Sequence, residues 1–123
     1  MAEEIKIVLA IETSATSESL RRLIESQQDM VIVGESIGPV ETLMAVSKTE
    51  AQVVILELPA ANTDPGICSH LLAEFPHLLI LSLSANSEQG IIYRQRICKE
   101  TLDNISDNQI LHAIRQAKQE DEA

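Results

Sequence analysis

Four short apolar runs at near-regular intervals most constrain what this chain can fold into: IKIVLAI (5–11), MVIVGE (30–35), VVILEL (53–58) and LLILSLS (78–84). Their residues are mostly β-branched or leucine and do not alternate with polar ones. A strand with one wet face alternates; a strand covered on both faces does not. The runs therefore predict a parallel sheet with helices on both sides.

The stretches between them carry helical spacing. SESLRRLIESQQ (17–28) puts Leu20, Leu23 and Ile24 on one stripe, with Ser17 available as N-cap. GPVETLMAVSK (38–48) sets Pro39 at a helix start and Val40, Leu43 and Met44 on one face. GICSHLLAEF (66–75) offers Ile67, Leu71, Leu72 and Phe75, and SDNQILHAIRQAKQ (106–119) offers Ile110, Leu111 and Ile114 behind a cap at Ser106 or Asp107. In 86–105, NSEQGIIYRQ reads as a short helix weakened by Gly90, and RICKETL (96–102) as an alternating fifth strand at an edge. Strand alternating with helix five times predicts one open, doubly wound α/β domain over 1–123, with the acidic end KQEDEA (118–123) fraying. In such sheets the working crevice lies at the C-terminal strand ends.

Charge and composition narrow the partners. Nine Lys and Arg face nineteen Asp and Glu, a formal net charge of −10. Such a surface repels a phosphate backbone or an anionic membrane and suits a basic protein surface. Aromatics make up 2%, namely Phe75 and Tyr93 with no Trp, so the core is aliphatic and stacking platforms for bases are lacking. The acidic N-terminus MAEEIKIVLA does not read as a secretory signal, and no apolar run approaches the roughly 18 residues of a membrane span. Cys68 and Cys98, thirty apart, read as reduced thiols in a cytoplasmic protein. His70, His77 and His112 are dispersed and read as surface residues. G-x-S-x-G, P-loop and G-x-G-x-x-G patterns do not occur, and no enzymatic activity is expected.

The residues after each apolar run are where chemistry would sit. Strand 1 ends in Ile11, Glu12, Thr13, Ser14; strand 3 in Glu57; strand 4 in Ser82, Leu83, Ser84, Ala85; Lys99 lies near the fifth strand. Glu57 reads either as a solvated strand-end acid, paired with Lys99, or as the centre of an acidic pocket. The hydroxyl-rich ETSATSES (12–19) before a helix is a candidate anion cradle, though its simpler reading is a turn and cap.

IKIVLAIETSATSESLRRLIESQQDMVIVGES, AQVVILELPAANTDPG, HLLILSLSA and DNQILHAIRQA, in this order and spacing, resemble the receiver domains of bacterial two-component response regulators over about residues 5–117. The resemblance implies a flavodoxin-like (βα)5 fold with strand order 2-1-3-4-5. It also implies a site in which two acids after strand 1 and an aspartate after strand 3 hold Mg²⁺, and the aspartate takes a phosphoryl group from a histidine kinase. Mg²⁺ requires close, near-octahedral oxygen ligands and neutralises charge on the transferring phosphoryl. By resemblance the acid pair falls on Ile11 and Glu12, the phospho-acceptor on Glu57, and the hydroxyl on Ser84. The lysine falls on Asp103 by ungapped counting or on Lys99 with a gap, and the switch aromatic on Glu100 or Arg96. One acid is thus apolar, and the acceptor is one methylene longer than an aspartate.

These departures imply a degenerate pseudo-receiver that signals by protein contact with its aspartate phosphorylation impaired or lost. Glu57 then stands partly in place of a phosphorylated aspartate. No cofactor is expected beyond weak Mg²⁺ at Glu12 and Glu57. The family's docking and dimer face, helix 4, strand 5 and helix 5, maps to about 87–117. Two other readings stand: an atypical receiver that still accepts phosphate and binds Mg²⁺, and a flavodoxin-type binder of nucleotide or flavin. The latter lacks the usual loop glycine and a Trp.

Overall fold

The computed structural model describes residues 4–11, 14–58, 66–84, 89–93, 100–103 and 106–122. In chain order the elements are β1 (Ile5–Ala10), α1 (Ser14–Glu25), β2 (Met30–Glu35), α2 (Pro39–Thr49), β3 (Val53–Leu58), α3 (Gly66–Glu74), β4 (Leu79–Ser84), β5 (Gln89–Tyr93), β6 (Glu100–Asp103) and α4 (Asp107–Glu122). One sheet holds all six strands in the order β2-β1-β3-β4-β5-β6.

The first four strands pair in parallel, as their doubly covered sequences require. β5 then runs antiparallel to both β4 and β6, so β6 points the same way as β1–β4. The five parallel strands keep the expected 2-1-3-4-5 order, and β5 is an additional strand between the last two. Its direction follows from chain length. Only residues 85–88 separate β4 from β5, whereas a parallel return needs about a dozen residues or more. The short helix expected over 86–95 is thus corrected: Gln89–Tyr93 is a strand, with Gly90, Ile91, Ile92 and Tyr93 buried.

Two layers of core explain the non-alternating runs. On one face Ile7, Leu9, Ile11, Val53, Ile55, Leu81 and Leu83 pack with Leu20 and Ile24 of α1 and with Ile110, Leu111 and Ile114 of α4. On the other, Val8, Val54, Leu56, Ile80, Ile91 and Tyr93 pack with Val46 of α2 and Leu71 of α3. β1, β3 and β4 each feed both layers, so their runs are apolar on both sides.

At the helix ends one expected cap is absent and another is present. α1 begins at Ser14, so Ser17 lies in its first turn and is not its cap. α4 is capped by Ser106: its Oγ accepts from Gln109 N–H at 3.3 Å, and its N–H donates to Gln109 Oε1 at 2.9 Å. This reciprocal pair satisfies two amide donors at the helix start. The same helix continues to Glu122. Arg115 holds α4 to the turn before β2: Nε donates to Asp29 Oδ2 at 2.8 Å, and Nη2 to Asp29 Oδ1 at 3.0 Å and to Gln27 Oε1 at 2.9 Å. The hydrogen bonds to Asp29 raise the Arg115 pKa further.

α2 starts at Pro39 as expected, after Gly38 at φ 90°. Its apolar face turns mostly outward, however. Thr42 and Val46 are buried and Leu43 half-buried, while Val40 and Met44 are 67% and 55% exposed. The cause is local hydrogen bonding. The Thr42 hydroxyl donates to Gly38 O at 2.8 Å and lies 2.8 Å from the Ser36 hydroxyl. Thr49 donates to Ala45 O at 2.7 Å. A hydroxyl satisfied this way can face the core at little cost, and the apolar residues are left outside.

Candidate functional site

The strand tips meet at the C-terminal edge of the sheet. Side chains alternate along β3, so Glu57 shares the face of Val53 and Ile55, the side covered by α1 and α4. In the ladder Ala10 lies beside Leu56, Glu57 beside Leu83, and Leu58 beside Ser84. Ile11, one step beyond Ala10, therefore comes level with Glu57. It is 7% exposed and belongs to the apolar cluster on that same face. The half-buried Glu57 carboxylate thus emerges between the strands of two apolar residues, Ile11 and Leu83.

The remaining expected site residues are less fully placed. Ser84 ends β4 and Asp103 ends β6, while Glu12, Arg96 and Lys99 lie outside the described residues. Asp103 pairs with Gln89, and Glu100 with Ile92, which in turn pairs with Leu81. Asp103 is therefore the residue at the tip of the last parallel strand, and the chain enters β6 lower on the sheet. Between β3 and β6 lie β4 and β5. At about 4.8 Å per strand, that is roughly 14 Å, where a sheet without β5 would give roughly 10 Å.

Leu83, the ladder neighbour of Glu57, also floors a cleft of about 330 Å³ between α1 and α4. Leu20 and Ile110 continue the floor, and Thr16, Ser19 and Asp107 supply polar atoms. The sequence marked these residues singly, Leu83 as a strand tip, Thr16 and Ser19 in the hydroxyl-rich 12–19 and Leu20 and Ile110 in helix stripes, but not as one cleft. The hydroxyl cradle expected over 12–19 is largely not a loop, because Ser14 to Ser19 are helical. His70, His77 and His112 are exposed, as expected. Cys98 and the side chain of Cys68 lie outside the described residues. The docking face expected over 87–117 also needs correction. Its first element is the buried strand β5, not a helix.

No family model matches the sequence. The chain is 29% identical over 87 residues to the "Uncharacterized transcriptional regulatory protein YhcZ" of Bacillus subtilis, a match covering 69% of this chain and 40% of that protein's length. Among solved structures, it is similar to the response regulator domain of Thermotoga maritima CheB, with TM-score 0.67 and 18% identity over 94% of this chain and 96% of that one. The receiver domain of Erythrobacter litoralis PhyR gives TM-score 0.65 and 13% identity, covering 94% and 91%. Salmonella enterica RcsB, solved on a promoter with a beryllofluoride phosphomimetic, gives 0.58 and 19% identity, covering 67% and 43%. The expectation that nucleic acid plays no part finds no support here, since one relative is named for transcription and one neighbour was solved on DNA. Among the described residues no helix is long and apolar enough to cross a membrane. From the strand order and these neighbours together, the chain has the fold of the response regulator receiver domains.

Proposed function

We propose that this chain is a receiver-like signalling module that acts by protein contact, with its aspartyl-phosphate chemistry impaired or lost and no enzymatic activity of its own. The observation that carries this reading is the insertion of β5. It moves the last parallel strand, whose tip bears the family's lysine position, one strand further from Glu57. A lysine side chain cannot bridge roughly 14 Å, and the residue at that tip is an acid, Asp103. At that tip an acid stands where the resemblance would place the cation that meets a phosphoryl oxygen.

The other tip supports the same reading. Mg²⁺ needs oxygen ligands on β1 and β3, and Ile11 supplies none and is packed into the core. Among the described residues at the ends of β1 and β3, only Glu57 offers a carboxylate, and its extra methylene displaces it from an aspartate's position. The described residues therefore do not fit the metal. Glu57 supplies a standing negative charge in place of a transient one. With β5 inside the sheet, the surface left for a partner over 87–117 is that of β6 and α4. The −10 chain suits a basic partner surface there, including that of a protein which itself binds DNA.

The test is treatment with acetyl phosphate, and separately beryllofluoride, in the presence of Mg²⁺, followed by intact mass and amide spectra. No phosphoryl increment and no shifts at Ile11, Glu57 or Ser84 are expected. Glu57→Asp alone is expected to stay unphosphorylated, because Ile11 still withholds a ligand. A mass increment on the parent chain would favour the atypical phospho-accepting receiver. Nucleotide or flavin released on denaturation would favour the flavodoxin-type reading.

A further inference from the structure

We infer that the outward face of α2 is a self-association surface, on which a second copy of this chain docks antiparallel. Three large apolar side chains stand exposed, Ile37 at 60%, Val40 at 67% and Met44 at 55%. Val40 and Met44 lie four apart on one helical stripe, and Ile37 stands just before the helix N-cap, Gly38. Met44 lies two positions from the buried Thr42, roughly 200° around the axis, so it points directly away from the core. The helix cannot roll to bury this stripe without withdrawing Thr42 from Ser36, because that hydroxyl pair is buried and hydrogen-bonded. The apolar residues belong to an interface that the single chain does not contain.

Charge selects the occupant. Exposed Glu41 lies three positions before Met44 and exposed Lys48 four positions after, so both flank the stripe. Reverse the helix about a two-fold axis between Met44 and Ala45, and Glu41 of one copy faces Lys48 of the other, twice. Met44 meets the partner's Met44 and Ala45 at the centre, and the two helix dipoles run opposed. Glu41 Oε1 already accepts from Ile37 N–H at 3.0 Å, which fixes the carboxylate beside the stripe. A uniformly basic or acidic partner would satisfy only one of the two charges, whereas a second copy satisfies both. Three apolar side chains make a small interface against the roughly 800 Å² per partner of a stable complex, so the pair is transient and concentration-dependent.

Sedimentation velocity over a concentration series, at physiological ionic strength to screen the net charge, tests this. The parent chain is expected to move from monomer toward dimer. Met44→Glu and Lys48→Glu change exposed side chains only and are expected to weaken association by about tenfold or more. Glu41→Lys and Lys48→Glu are each expected to be monomeric alone and to associate when mixed in equal amounts, since mixing restores both charge pairs. Far-UV circular dichroism checks that each variant is folded. If Glu41→Lys misfolds through loss of the Ile37 contact, Met44→Glu and Lys48→Glu decide the matter. A parent chain that stays monomeric throughout overturns the proposal. So does a dimer that survives both of those variants, or a mixture of folded charge-reversed variants that does not associate.

Discussion

The sheet from β2 to β4 and the sheet from β4 to β6 are built by different rules. In the first, each strand is followed by a helix and a parallel return, and the sequence repeats a pattern about 25 residues long. In the second, strands follow at links of a few residues, and direction alternates. The receiver-like part is the repeated one. The part that departs is where that fold would place a helix and its coupled strand. One short link after β4 is enough to convert a βα unit into a hairpin, and the geometry of the candidate site changes with it.

Three substitutions test that contrast, from the largest effect to the smallest. Ile92→Asp places an unpaired charge in the middle of β5 and is expected to cost about 3 kcal/mol or more in denaturant unfolding. A cost under about 0.5 kcal/mol would mean that β5 is peripheral and that the contrast drawn above fails. Thr42→Val in the repeated half removes the partner of the buried Ser36 hydroxyl and is expected to cost about 1–2 kcal/mol, despite its equal size. A stabilised variant would show that the hydroxyls do not orient α2. Glu50→Gly is expected to stabilise by about 0.5 kcal/mol, because Glu50 closes α2 in the left-handed region at φ 56°. Thermal unfolding of that variant should shift upward by a few degrees at most.

The legibility of the sequence divides along the same line. β1 to β4 are readable because each is a dense apolar run, and a run covered on both faces looks the same wherever it sits. The helix stripes of α1 and α4 are readable because their inward residues are apolar. α2 misleads because its inward residues include threonines that bond their own backbone, so hydrophobicity marks its outer face. β5 misleads because five residues show no period. Its usable signals are the β-branched and aromatic content of Gly90–Tyr93 and the shortness of the link before it. At the site, Ile11 and Glu57 were placeable from the strand ends alone. The choice between Lys99 and Asp103 was not, because it depends on how many strands lie between β4 and the last one. Asp103 is the residue at the β6 tip, and Lys99 lies outside the described residues.

The same departure carries its own optical label. The chain has one tyrosine and no tryptophan, and that tyrosine, Tyr93, is buried in β5. At the long-wavelength end of the near-ultraviolet, where Phe75 contributes little, its signal therefore reports on the packing of the inserted strand, while the far-ultraviolet signal is dominated by the helices. Followed together through a denaturant titration, the two would coincide if the inserted hairpin and the repeated core melt as a single cooperative unit. They would separate if the hairpin opens first.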